Sequence, residues 1–166
     1  LDFRAQQLDP ARSELGLVAT GIVATFNEQH RLGLDLNGQP GGDFFLPLEA
    51  TTASLSGNSG LSSMTATISD ATQLTGDDYT VRYDGAQWTL TNLRTKDTQI
   101  GGSPFNVEGL TIGVAGAPVA GDAFSIQPTR QGATLFSVVV SGPEGFAAAS
   151  PLRSSEALPN TGSGKI

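Results

Sequence analysis

His30 is the only histidine in the chain. One imidazole can act as a general base, but it cannot supply a histidine cluster for a metal. It stands where a helix should end, so its ring is expected to bond the last carbonyls and any positive charge to suit the helix dipole. Asp35, Asn37 and Gln39 place acidic and amide groups on alternate residues, as in a calcium-binding EF-hand loop. Pro40 then occupies the position that needs glycine, and Leu46 the position that needs a bidentate glutamate, so the pattern fails. Asp77, Asp78 and Asp84 could gather at one end of a sheet around a cation, although carboxylates beside β turns usually form the turns. Gly162-Ser-Gly-Lys165 resembles the end of a phosphate loop, but Pro159 replaces the earlier glycine and Ile166 the magnesium-binding hydroxyl. There is no Gly-x-Ser-x-Gly elbow and no cysteine nucleophile. The expectation is a protein that is not an enzyme and has no cofactor or metal site.

The elements that would position these residues change character along the chain. Asp9 and Pro10 mark a helix start, with Asp9 expected to accept bonds from the first turn. Leu15, Val18, Ala19, Ile22, Val23 and Phe26 recur at three- and four-residue steps and form one apolar stripe, ending near residues 31–33. Gly16 and Gly21 each cost roughly 1 kcal/mol of helix propensity, so packing must hold this helix. Asn37-Gly38 marks a turn. Phe44, Phe45, Leu46 and Leu48 then form a dense apolar cluster expected to seal the base of the helix against the β part of the chain.

After residues 49–62, rich in Thr, Ser and Gly, the apolar period becomes two. Met64, Ala66 and Ile68 read as one strand, Tyr79, Val81 and Tyr83 as another, and Trp88, Leu90 and Asn92 as a third. Asp84-Gly85 makes a hairpin between the last two. Further strands are expected at Leu110, Ile112 and Val114, at Phe124 and Ile126, and at Phe136, Val138 and Val140. Pro128 ends its strand or places it on an edge. Gly-Asp precedes an aromatic at Phe44, Tyr79 and Phe124, a pattern that ordinary turns explain. The fold class expected is mainly β with one long N-terminal amphipathic α-helix, the β part an antiparallel sandwich or small barrel. The expected division is a helical segment and connecting loop over residues 1–48, a linker over 49–62, an all-β domain over 63–145 and an exit linker over 146–166.

The 166 residues suffice for one ordinary core with a small appendage. A start at Leu1 and an end on Gly-Ser-Gly-Lys-Ile read as a piece of a longer protein. No apolar run approaches the roughly 20 residues of a membrane span. Nine basic against sixteen acidic residues give a net charge of −7, with the basic residues scattered singly. Neither nucleic acid nor an anionic membrane is an expected partner.

The run Thr25-Phe-Asn-Glu-Gln-His-Arg-Leu-Gly-Leu-Asp-Leu-Asn-Gly38, closed by Gly41-Gly-Asp-Phe-Phe45, resembles the flagellar hook-associated protein 1 family. Residues 1–10 are similar to the segment preceding that family's helix, and Ala120-Gly-Asp-Ala-Phe-Ser-Ile-Gln-Pro-Thr-Arg-Gln-Gly132 to a strand pair of its β domain. Ala147-Ala-Ala-Ser-Pro-Leu-Arg153 and Asn160-Thr-Gly162 resemble its exit linker. The resemblance is strongest over residues 1–45 and weaker over 46–116. It implies an extracellular structural subunit, exported through the flagellar secretion channel, that assembles at the junction of hook and filament. Its implied partners are copies of itself, neighbouring hook proteins and second junction or filament-side proteins. It also implies that the helix belongs to a rod domain built with segments near both ends of the parent chain. Leu15, Val18, Ala19, Ile22, Val23, Phe26, His30, Phe44 and Phe45 would then be packing or interface residues, with part of the stripe left unpaired here. The alternative is a cell-surface β-sandwich module that binds a ligand such as carbohydrate through exposed Trp88, Tyr79 and Tyr83.

Overall fold

The structure is a computed structural model that describes residues 3–149. Leu1, Gly162-Ser-Gly-Lys165 and the rest of the expected exit linker from residue 150 onward lie outside the described residues. A π-type turn at Arg4–Leu8 runs without a break into α1, Asp9–Arg31. The expected cap at Asp9 is therefore absent: Leu8 is already helical, and the Asp9 N–H reaches back to the Arg4 carbonyl. Pro10 gives the physical reason. Its ring crowds the carbonyl four residues earlier and it donates no hydrogen bond, so the preceding turn widens instead of the helix starting there.

Beyond α1 the chain forms a sandwich of two antiparallel sheets. The larger has the strand order β1-β8-β3-β4-β5, built from Thr51–Ser54 (β1), Ala123–Gln127 (β8), Tyr79–Tyr83 (β3), Trp88–Asn92 (β4) and Thr98–Gly101 (β5). The smaller has the order β2-β7-β6, from Ser63–Ile68 (β2), Leu110–Ala115 (β7) and Phe105–Val107 (β6). Period-two alternation turns one face of β2, β3, β4, β6, β7 and β8 inward. Met64, Tyr79, Val81, Trp88, Leu90, Phe105, Leu110, Ile112, Phe124 and Ile126 meet between the sheets, with Leu74 closing one side. The β3–β4 hairpin pairs Tyr83 with Trp88. Its turn is held by the Asp84 carboxylate, which accepts from the Ala86 and Gln87 N–H groups at 2.8 Å each, and by Gly85 at φ +108°.

Two stretches differ from the sequence reading. Residues 49–62, expected as a linker, contain β1, whose Thr51 to Ser54 pair with Gln127 to Phe124 of β8. This edge strand is polar and mostly exposed, so it carries no apolar period. Phe136, Val138 and Val140, expected as the last strand, do not join the sandwich. After β8 the chain stops at Pro128, makes a single helical turn (α2, Gly132–Leu135) and returns alongside α1. There it meets the segment after the helix through one bridge, Phe45 with Val138, and the bonds Val139 N–H to Phe44 O and Leu46 N–H to Ser137 O. Phe136 and Val138 are largely exposed on this ribbon.

Candidate interaction surface

At about 100° per residue, the six stripe residues of α1 span an arc of about 140°. The structure splits that arc. Ala19 and Val23, on one flank, are buried, together with Ser13, Gly16, Thr20, Asn27 and His30. Leu15, Val18, Ile22 and Phe26, within about 80° of one another, retain 61, 59, 48 and 38% of their exposure. The helix thus buries a face of mostly small and polar residues against its own chain, packs Leu17 against the sandwich core and leaves Leu15, Val18 and Ile22 in water.

The buried face works through backbone contact. Asn27 is a side-chain splice: its Oδ1 accepts from the N–H groups of Phe44 (3.0 Å) and Phe45 (2.9 Å), and its Nδ2 donates to the Phe45 carbonyl (2.9 Å). One turn on, His30 bridges the segments entering and leaving the sandwich. Its Nδ1 lies 2.8 Å from the Gly42 carbonyl, and the Ala147 N–H donates to its Nε2 at 2.9 Å. These partners assign the neutral ring with the proton on Nδ1. The expected capping role for His30 is therefore replaced by a cross-link. The reason is local: Gly33 and Gly41 have no side chains, so the strands at residues 33–42 and 147 come within reach of the ring, and a Cβ at either glycine would meet the Ala147 or His30 backbone at 2.1 Å. Residues 146–149, expected to begin the exit linker, are docked, with Ala147 buried and Ala149 exchanging backbone bonds with Leu34.

Phe44 and Phe45 join the exposed and buried faces. The Phe26 ring lies 4.9 Å from Phe44 and 5.2 Å from Phe45, and the Phe45 ring lies tilted 4.7 Å from Phe136. The apolar surface of α1 therefore continues from Leu15 through Phe26 onto Phe136, which is itself 39% exposed. Contiguous exposed apolar surface is a common feature of interaction sites.

The other candidate residues do not converge. Asp84 and the Asp77–Asp78 pair sit at opposite ends of β3. Asp77 is bonded by Arg94 and Asn92, Asp78 is paired with Arg130, and among the described residues no group of three acidic or histidine side chains is placed to hold a metal. The Asp35 carboxylate accepts from the N–H groups of Asn37 and Gln39 at 2.8 Å each and closes its own turn. Trp88 and Tyr79, two of the three aromatics of the ligand-platform alternative, are buried to 6% and 1% exposure. Tyr83 is half-buried against Trp88. An aromatic platform needs open ring faces, and these rings fill the sandwich core.

Family models match two stretches of the chain. The model for the "Flagellar hook-associated protein FlgK helical domain" matches residues 1–45, and that for the "Flagellar hook-associated protein 1, D2-like domain" matches residues 53–128. Flagellar hook-associated protein 1 of Escherichia coli is 31% identical over 154 residues, and that of Salmonella typhimurium 32% over 157, each match covering 90% of this chain. The chain belongs to the flagellar hook-associated protein 1 family. It superposes on the solved flagellar hook junction protein FlgK from Burkholderia pseudomallei with a TM-score of 0.81 and 34% identity, over 90% of its length. It spans about 28% of the length of these relatives. In this family member the stripe was visible as a period of apolar residues. Asn27 was not, because an amide that substitutes for a strand leaves no periodic signal.

Proposed function

We propose that this chain is part of a structural subunit of the bacterial flagellum, exported and extracellular, that self-assembles at the junction of hook and filament. The observation that carries the reading is the exposed strip of Leu15, Val18, Ile22 and Phe26 on a helix whose other flank is already docked. Its occupants are further helices of a rod domain, supplied by parts of the parent chain outside residues 1–166. Covering these four half-exposed side chains contributes on the order of 1 kcal/mol each. The sandwich is then the outward part of the subunit, and copies of itself, hook proteins and filament-side proteins are its neighbours. No enzymatic step is part of this role.

Deletion of the gene in the parent organism, together with electron microscopy of the cell surface and an assay of the medium for flagellin, tests the proposal. Hooks without filaments, with flagellin lost to the medium, are expected. Normal filaments would overturn it.

A further inference from the structure

One large side chain of α1, Leu17, packs against the sandwich core beside Gly76; much of the rest of the contact is made backbone to backbone. Gly16 lies on the backbone of the turn after β8: a Cβ there would sit 1.7 Å from the Thr129 carbonyl oxygen, and one on Gly132 would sit 2.6 Å from the Gly16 carbonyl oxygen. Two glycines therefore let helix and turn touch backbone to backbone. Thr129, wholly buried, donates from its hydroxyl to the Ser13 carbonyl at 2.8 Å, and Thr20 donates to the Gly16 carbonyl at 2.8 Å. Arg130, the next residue along, pairs with Asp9 on α1 at 3.2 Å and with Asp78 just ahead of β3. One guanidinium thus ties the helix, the turn after β8 and the start of β3. Burial pushes the Asp78 carboxyl above its ordinary range and the Arg130 charge opposes that shift, so the two groups depend on each other.

A second attachment lies farther along the same helix, where Asn27 and His30 hold residues 42–45 and 147. The attachments at Ser13–Gly16 and Asn27–His30 are separated by 14 residues, on the order of 20 Å of helix. The Asn27 and His30 bonds hold the connecting segments, while the sandwich itself meets α1 at the Gly16–Gly132 contact, at Leu17 beside Gly76 and at the turn Ala71–Gln73. A body held at several points along a helix cannot swing without breaking one of them.

We propose that the connection between α1 and the sandwich is a fixed elbow, its angle set by the Gly16–Gly132 backbone contact and locked by Arg130, so that the sandwich is a rigid arm on the rod helix. The fixed angle rests on geometry alone; only the description of α1 as a rod helix rests on the proposed function. A rigid arm passes a displacement of the helix directly to whatever the sandwich touches, whereas a hinged one absorbs it.

The chain has no cysteine, so Glu28→Cys on α1 and Gln99→Cys on β5, both exposed, give two unique sites for nitroxide labels. Pulsed electron paramagnetic resonance then reads the distance between them. A single narrow distribution is expected. Gly16→Leu should shift its mean, and Arg130→Met should broaden it, while Trp88 emission stays unchanged and shows that the sandwich is still folded. A broad or two-peaked distribution in the parent protein would overturn the proposal even if a variant failed to fold. So would an unshifted, narrow distribution in both variants.

Discussion

Single carboxylates organise several turns and loops of this molecule, each with a different partner. Three Gly-Asp pairs precede aromatics in the sequence, yet Asp43 pairs with Arg31, Asp77 holds Arg94 and Asn92, and Asp122 folds a loop. Asp122 is 1% exposed; its Oδ1 accepts from the N–H groups of Ser59 and Gly60, and its Oδ2 from the Val119 N–H and the Ser62 hydroxyl. The Val119 N–H, then that of Ser59, holds this carboxyl below its ordinary 3.8. A folded value below the unfolded one stabilises the fold above pH 3.8, and that contribution is lost as the pH falls through the folded value. Asp122→Asn keeps the shape but turns an NH2 group towards one pair of donors. The variant should unfold at lower denaturant than the parent at pH 7, and the difference should close as the pH falls below 3.8. A gap independent of pH would show that the charge is not what holds the loop.

At the scale of elements, the two glycines of α1 are equal in propensity and opposite in environment. Gly16 faces the Thr129 carbonyl, which cannot retreat because Thr129 is buried and bonded to Ser13, whereas nothing lies within 4 Å of a Cβ at Gly21. Gly16→Ala should cost roughly 1–3 kcal/mol through overpacking despite the better helix former. Gly21→Ala should gain up to about 1 kcal/mol. Denaturant melts of the two variants check both signs. The same contrast explains what was legible beforehand. β2, β3, β4, β7, β8 and the Asp84-Gly85 hairpin announced themselves because one face of each strand carries apolar residues into the core, even for β2 at a sheet edge. The edge strands β1, β5 and β6 did not, since they are short or mostly solvated. The periodicity of α1 was visible, but not which flank would dock, because Ala19 and Val23 share the docked flank with Ser13, Gly16, Thr20, Asn27 and His30, and Leu17, which packs on the sandwich core, lies off the stripe. The ribbon at Phe136–Val140 alternates like a strand, and its backbone pairs with residues 44–46 beside α1 instead of with a sheet.

For the whole molecule, the proposed role gives the two flanks of α1 different tasks, the docked one folding and the exposed one assembly. Ile22 is 48% exposed and lies between Val18 and Phe26 on the strip, without the ring contacts that tie Phe26 to Phe44 and Phe45. A charge at position 22 therefore meets water in this chain. In a packed rod it would be buried without a partner, a cost of several kcal/mol. Ile22→Asp should leave the melting of this 166-residue chain within about 0.5 kcal/mol of the parent. The same substitution in the full-length protein should prevent filaments from growing on the hooks of otherwise intact cells. Loss of stability in the short chain would mean that the strip is internal core after all. Normal filaments with a stable short chain would mean that no helix covers it, and the sandwich alone would then have to carry the contacts between subunits.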